Sequence, residues 1–141
     1  MIVHLDTSAW VKLYVREDGS KELHKLIRRA EALAASVVAY PEARAAFARL
    51  KAEGLTSDAK HQQRLAQLNM DWENMLRVEL TPTIVRSAGD LAEVYGLRGF
   101  DSIHLASALW LKEKTKTPLQ FAVFDQRLKA AAVRAGVVVF P

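Results

Sequence analysis

The sequence predicts an α/β fold, a three-layer α/β/α sandwich built on a short parallel sheet of four to five strands. Three observations indicate this class. Short apolar runs alternate with longer segments of helical periodicity, the runs are rich in β-branched residues, and their apolar character is continuous rather than alternating. Strands that are apolar on both faces need helices on both sides of the sheet, and those helices supply the crossovers that parallel strands require.

The first half of the chain contains two predicted strands and four predicted helices. Gly19 and Ser20 separate two short helices, and Pro41 suits the first turn of a third because its missing N–H costs nothing there. In chain order we expect a strand at 2–5, a short helix, a helix from Ser20, a strand at 34–39, a helix ending at Gly54, and a helix capped by Thr56 or Ser57 and running to Leu76.

The second half alternates more regularly. Pro82 and Gly96 mark the start and the end of one helix, and the next helix is apolar over a wide arc, which indicates burial on more than one side. In chain order we expect a strand at 77–80, a helix at 82–95, a helix at 101–114, a strand at 119–124, a helix at 126–135 and a strand at 137–140.

The composition is typical of one domain spanning residues 1–141, since half of the residues are hydrophobic. The absence of cysteine excludes disulfides, thiolate metal sites and cysteine nucleophiles. Neither a signal-peptide pattern nor an apolar run of roughly 20 residues is present, so we expect a cytoplasmic protein with no membrane segment. The net charge of +4 permits an anionic partner such as RNA without requiring one.

Four carboxylates lie at predicted strand-to-helix junctions. Asp6 and Asp125 follow predicted strands, Glu42 falls in the first turn of a helix, and Asp101 opens another helix. Each of them could simply cap a helix or favour its dipole, which is worth about 0.3–1 kcal/mol. Parallel strands place such junctions on one edge of the sheet, however, so the four side chains are expected to meet there.

Carboxylates brought together repel one another and raise each other's pKa values, so a cation between them would stabilise the fold. Oxygen ligands without cysteine favour a hard cation, Mg²⁺ or Mn²⁺, over zinc. Such an ion can activate water and polarise a phosphoryl oxygen. An acidic, metal-binding notch in a basic surface therefore suggests a nuclease.

Four stretches carry a resemblance to a known family: "LDTSAWV", "YPEARAAFARL", "YGLRGFDSIHLASAL" and "FAVFDQRLKAAAVRAGV". In this order they resemble the conserved segments of PIN-domain ribonucleases, in particular the VapC-type toxins of toxin–antitoxin pairs. The resemblance implies that Asp6 and Asp101 are the principal metal ligands, that Glu42 and Asp125 are the other acidic residues, and that all four are catalytic. It also implies RNA as substrate, a homodimer and an antitoxin partner.

The resemblance extends to one hydroxyl and fails at another. Ser8 falls on the hydroxyl that follows the first acid of the family pattern. Val123 stands where the family often has Thr or Ser, two residues before the fourth acid. That substitution removes a hydroxyl near Asp125 but leaves the acid in place.

Basic and histidine side chains lie near the same segments. Arg98 precedes Asp101 closely enough to reach a bound phosphate, and Arg suits bidentate contact with phosphate. Further candidates for RNA binding, each of which could equally be a solvated surface charge, are Lys12, Arg16 and Arg44. His104 and His4 are predicted to be packed side chains rather than metal ligands, because the expected cation is hard.

Two other functions fit parts of the pattern. A phosphatase that uses Asp6 as nucleophile would need a second acid two residues later, where this chain has Ser8. A catalytically silent RNA-binding module of the same fold would have no reason to keep repelling charges together. A metal-dependent endoribonuclease is therefore the principal hypothesis.

Overall fold

The computed structural model describes residues 1–141 and contains five strands and seven helices. The strands are β1 (Ile2–Leu5), β2 (Ala32–Ser36), β3 (Leu76–Val78), β4 (Leu119–Ala122) and β5 (Val138–Phe140). The helices are α1 (Thr7–Val11), α2 (Ser20–Ile27), α3 (Ala39–Ala52), α4 (Asp58–Asn74), α5 (Pro82–Tyr95), α6 (Gly99–Thr115) and α7 (Gln126–Arg134). All strands pair in parallel in the order β3-β2-β1-β4-β5, so the predicted α/β class is confirmed.

Helices cover both faces of the sheet and bury a separate core on each. Val3 and Leu5 of β1 pack with residues of α1, α2, α3 and α4, whereas Ile2 of the same strand packs with α5, α6 and α7. This alternation follows from the two-residue period of a strand. No helix of the seven combines the length and the apolar character that a bilayer span requires.

The centre of the sheet places the ends of β1 and β4 side by side. β1 pairs with β2 on one side and with β4 on the other, so the chain changes direction across the sheet at this strand. Ligand sites of parallel sheets form outside the carboxyl ends of the strands at such a point. The edge carrying Asp6 and Asp125 is therefore where a site is expected.

Three predicted strands end or begin at other residues. β2 starts two residues earlier than predicted and ends at Ser36, because its Ala32, Leu33 and Ala34 pair with the first residues of β1. β3 is likewise displaced by one residue and ends at Val78. β4 ends at Ala122 instead of residue 124, so Asp125 does not follow the strand directly.

Helix α6 begins two residues before the predicted start. Arg98, with extended backbone angles, occupies the position before its first residue Gly99, and Asp101 lies inside the first turn rather than at its cap. Other helix limits agree with the sequence signals. Ser57 caps α4 through its side chain, and Gly96 ends α5 with a left-handed φ of 65°.

Candidate active site

A cleft of about 400 Å³ opens at the carboxyl edge of the sheet and is lined mainly by polar side chains. All four predicted acids line it, although they come from the starts of four different helices. We call this the acidic cleft; its lining residues are Asp6, Thr7, Ser8, Val11, Glu17, Glu42, Ala46, Arg49, Arg98, Asp101, His104 and Asp125. The structure thus brings together residues that lie up to 119 positions apart in the chain.

Asp6 is the most buried acid of the cleft, with 5% of its surface exposed. It caps α1 by accepting a hydrogen bond from the Ala9 amide (2.8 Å), and the Ser8 hydroxyl donates to the same carboxylate (3.0 Å). Burial raises the pKa of Asp6 and so does the charge of Asp101, although the Ala9 amide, the His104 ring and Ser8 oppose this rise. The net result is a buried carboxylate that a cation would stabilise.

Glu42 is held by two residues from other elements. The Thr7 hydroxyl donates to its Oε1 (2.6 Å), and Nε2 of His104 lies 2.7 Å from the same oxygen. Burial alone would raise the pKa of Glu42, but these two hydrogen bonds and the charge of His104 outweigh it and lower the pKa overall. Glu42 is therefore an ionised carboxylate with one oxygen already engaged.

Asp125 and Asp101 are attached to the cleft differently. Asp125 caps α7 by accepting from the Leu128 amide (2.8 Å), which is the structural role that an acid at this position was expected to serve if it had no other. Asp101 is partly exposed and forms an ion pair with Arg98 (3.4 Å), three residues earlier. The Arg98 side chain remains 78% exposed, so it is free to contact a phosphate at the rim.

The donor set of the cleft suits a hard divalent cation, because its four acids offer oxygen ligands and the buried Asp6 carboxylate carries a raised pKa. The side chains, however, are not gathered around one point. No three Asp, Glu or His side chains are close enough together to hold an ion between them. The hydrogen bonds to Glu42 and the ion pair of Asp101 account for part of this separation.

The predicted basic residues divide into two groups. Arg98 lines the cleft, whereas Arg16 and Arg44 do not. Arg44 instead donates to the Tyr40 hydroxyl (2.9 Å) on the outer surface of α3. Lys12 is mostly buried and forms an ion pair with Glu17 (2.8 Å), which itself lines the cleft. Its charge therefore helps to balance an acid at the rim.

The sequence reasoning missed Arg49, Thr7 and Glu17 as cleft residues. Arg49 could have been found, because it lies seven residues after Glu42 and two helical turns bring both to one side of α3. Thr7 directly follows Asp6, but its contact with Glu42 depends on the packing of α1 against α3. As predicted, His104 is a buried and hydrogen-bonded side chain, and His4 is fully buried.

Comparisons with known proteins agree with this geometry. The PIN domain family model matches residues 3–133. Ribonuclease VapC45 and Ribonuclease VapC49 of Mycobacterium tuberculosis are each 40% identical to the chain over 144 residues, covering 99% of this chain and 95% of theirs.

Two solved structures share the fold. FitAcB from Neisseria gonorrhoeae matches with a TM-score of 0.66 and 22% identity, covering 100% of this chain and 97% of the other. The Mycobacterium tuberculosis protein VapC20, described as a Sarcin-Ricin loop cleaving toxin, matches with a TM-score of 0.66 and 15% identity over 96% of both chains. Together with the family match and the two close relatives in sequence, this likeness means that the chain belongs to the PIN domain family, in its VapC group.

Proposed function

We propose that this chain is an endoribonuclease that hydrolyses RNA phosphodiester bonds and acts as the toxin of a toxin–antitoxin pair. The observation that carries the proposal is the acidic cleft, in which four acids from separate segments face two arginines, in a chain 40% identical to named ribonucleases. Arginines at the rim suit the RNA backbone, and the acids suit the chemistry of the scissile phosphate. A phosphatase with Asp6 as nucleophile is less well supported, since Ser8 stands where its second acid would be.

We further propose that the enzyme uses Mg²⁺ or Mn²⁺. Asp6 and Asp101 would be the principal ligands, with Glu42 and Asp125 completing the acidic surroundings. When bound, such an ion supplies Lewis-acid chemistry, polarising a phosphoryl oxygen and lowering the pKa of a coordinated water.

The chain's own residues orient and bind. The Ala9 amide and Ser8 hold the Asp6 carboxylate, and Thr7 and His104 hold Glu42. Groups fixed in this way need little reorganisation when substrate arrives, which favours the transition state. Arg98 and Arg49 are placed to contact phosphates on either side of the scissile bond.

A cleavage assay on a mixed RNA pool tests the proposed activity. With millimolar Mg²⁺ or Mn²⁺ we expect internal cleavage of RNA, and with excess EDTA we expect no cleavage. Restoring the metal should restore activity, which separates metal removal from irreversible damage. Tight RNA binding without cleavage under every metal condition would instead support the catalytically silent module.

Metal binding should also be visible without any RNA. We expect millimolar Mg²⁺ or Mn²⁺ to raise the melting temperature by several degrees, because a ligand at about 100 times its Kd stabilises by about 2.7 kcal/mol and 1 kcal/mol is worth about 2–4 °C in a chain of this size. Differential scanning fluorimetry measures the shift. Asp101→Asn should abolish it, whereas Asp90→Asn, an exposed acid of α5, should retain it. An identical shift in both variants would place the ion elsewhere.

An antitoxin partner and a homodimer are also part of the proposal, because the family resemblance implies both. Co-expression with the product of the neighbouring reading frame, followed by co-purification and the cleavage assay, tests the first. The complex should be inactive. Sedimentation equilibrium of the isolated chain tests the second, where a mass of 15.7 kDa would indicate a monomer.

A further inference from the structure

A column of polar side chains extends from the acidic cleft into the core between the sheet and α6. Asp6 and His4 lie two residues apart on β1 and its end, which puts them on the same face. Asp101, His104 and Ser107 follow one another at three-residue spacing on α6, so successive turns place them on one side. The two rows share the core layer on the α6 side of the sheet.

The inner part of this column is fully enclosed. His4 and Ser107 have no exposed surface, and His104 exposes 2%. The strand neighbours of His4 are Ala34 and Phe121, and the Phe121 ring meets the imidazole edge-on with 5.5 Å between centroids. Both neighbours are apolar and belong to the core packed under α6, so they supply no hydrogen bond.

Four polar atoms in this enclosed region have no hydrogen-bond partner in the protein. They are both ring nitrogens of His4, Nδ1 of His104 and Oγ of Ser107; the molecule has one further buried atom of this kind, Nδ1 of His61. An unpaired buried polar group costs about 1–3 kcal/mol, and more than 90% of such groups in proteins have a partner. Four of them in one place indicate a partner that is not protein, and buried water usually fills this role with about three hydrogen bonds per molecule.

The two histidines are close enough to influence each other. Burial lowers the pKa of His4 to about 3, and the charge of His104 lowers it further in the same direction. His4 is consequently neutral at physiological pH, with one N–H donor and one bare nitrogen. A water molecule can serve both kinds of atom, since it donates and accepts.

The outer nitrogen of His104 carries a proton. Its Nε2 lies 2.7 Å from Oε1 of Glu42, a carboxylate whose lowered pKa keeps it ionised and able only to accept. The Thr7 hydroxyl already donates its proton to that oxygen. Nε2–H of His104 is therefore the donor to Glu42, and the inward Nδ1 must find its own partner.

We infer that internal water occupies the space between His4, His104 and Ser107, and that this water holds the His104 imidazole in the tautomer that donates from Nε2 to Glu42. Ser107 and His4 are then positioning residues, which do not reach the cleft and act on Glu42 only through His104. The effect on catalysis rests on the proposed ribonuclease function, whereas the hydration and the tautomer do not.

Nuclear magnetic resonance of the ¹⁵N-labelled, metal-free protein tests the hydration directly. In the wild type we expect cross-relaxation between long-lived water and the ring protons of His4 and His104. We also expect His104 to show one protonated and one bare ring nitrogen, with the proton on Nε2. Absence of water contacts at both rings, or a proton on Nδ1 in place of Nε2, would overturn the inference. This measurement needs no variant.

Ser107→Ala tests the positioning role. It removes one anchor of the water, so we expect loss of the water contact at His104, convergence of its two ring ¹⁵N shifts, and a fall in the kcat of RNA cleavage of about 10-fold with KM unchanged, as for other groups that orient ligating side chains. Ser36→Ala is the matched control, because Ser36 is equally buried but bonds the Val38 amide away from the cleft. It should leave the His104 shifts and kcat unchanged.

The two hypotheses fail in different ways. A wild-type protein that cleaves no RNA but shows the water contacts and the Nε2–H tautomer would contradict the ribonuclease proposal and support the hydration. Unchanged His104 ring shifts in a folded Ser107→Ala variant would contradict the positioning role, whatever its activity.

Discussion

Asp6→Asn is expected to reduce RNA cleavage by roughly 10³-fold while leaving the protein folded. The substitution removes the charge that a divalent ion would need, and a loss of several kcal/mol of transition-state stabilisation corresponds to about three powers of ten in rate. The asparagine oxygen can still accept the hydrogen bond from the Ala9 amide, so the cap of α1 survives. Initial rates on a fixed RNA substrate measure the effect.

The control for this variant is Asp90→Asn, which removes the same charge from an exposed position on α5 and should keep full activity. An Asp6→Asn protein that cleaves RNA at the wild-type rate would remove Asp6 from the mechanism. Equal losses in both variants would point to a general charge effect rather than to the cleft.

The same variant makes a prediction about stability as a function of pH. Burial raises the pKa of Asp6 above its usual value of 3.8, so in the absence of metal the folded state binds this proton more tightly than the unfolded state does. The cost of the charge is absent below pH 3.8 and grows as pH rises through the folded pKa. Asp6→Asn should therefore gain stability relative to the wild type between acidic and neutral pH, as measured by urea unfolding without metal. A constant difference would contradict the raised pKa.

Trp10→Ala is expected to lower the free energy of unfolding by about 3–5 kcal/mol, the usual cost of removing a large aromatic side chain from a core. Trp10 has no exposed surface and packs against the Trp72 ring, with 5.3 Å between centroids. Its indole N–H donates to the Tyr14 hydroxyl (3.0 Å), which in turn donates to Asp71 (2.6 Å). One substitution thus removes both the packing and the polar link between α1 and α4.

Chemical denaturation measures the loss, and Trp110→Ala serves as the control. Trp110 on α6 is only partly buried, so its truncation should cost clearly less. Because Trp10 lies in the helix that Asp6 caps, Trp10→Ala should also weaken RNA cleavage at temperatures where the protein is still folded. Equal losses of stability for the two tryptophans would show that burial at Trp10 contributes less than its contacts indicate.

Local patterns in the sequence determined the fold class and most element limits. Pro82 and Gly96 bound α5 as predicted, because a proline that suits a helix start and a glycine that ends it act within a few residues. The four acids were identifiable for a similar reason. Each follows a strand or opens a helix, and parallel strands deliver such positions to one edge of the sheet.

Only the tertiary structure decided how the acids are engaged. The contact of Thr7 with Glu42 joins residues 35 positions apart, and that of His104 with Glu42 joins residues 62 apart, so both depend on how α1, α3 and α6 pack over the sheet. The limits of β2 likewise depend on its pairing with β1. Sequence periodicity and capping report on neighbours along the chain, whereas hydrogen-bond partners and burial arise from the packing of distant segments. For that reason the sequence alone identified the acids of the cleft, but the polar column behind them emerged only from the folded chain.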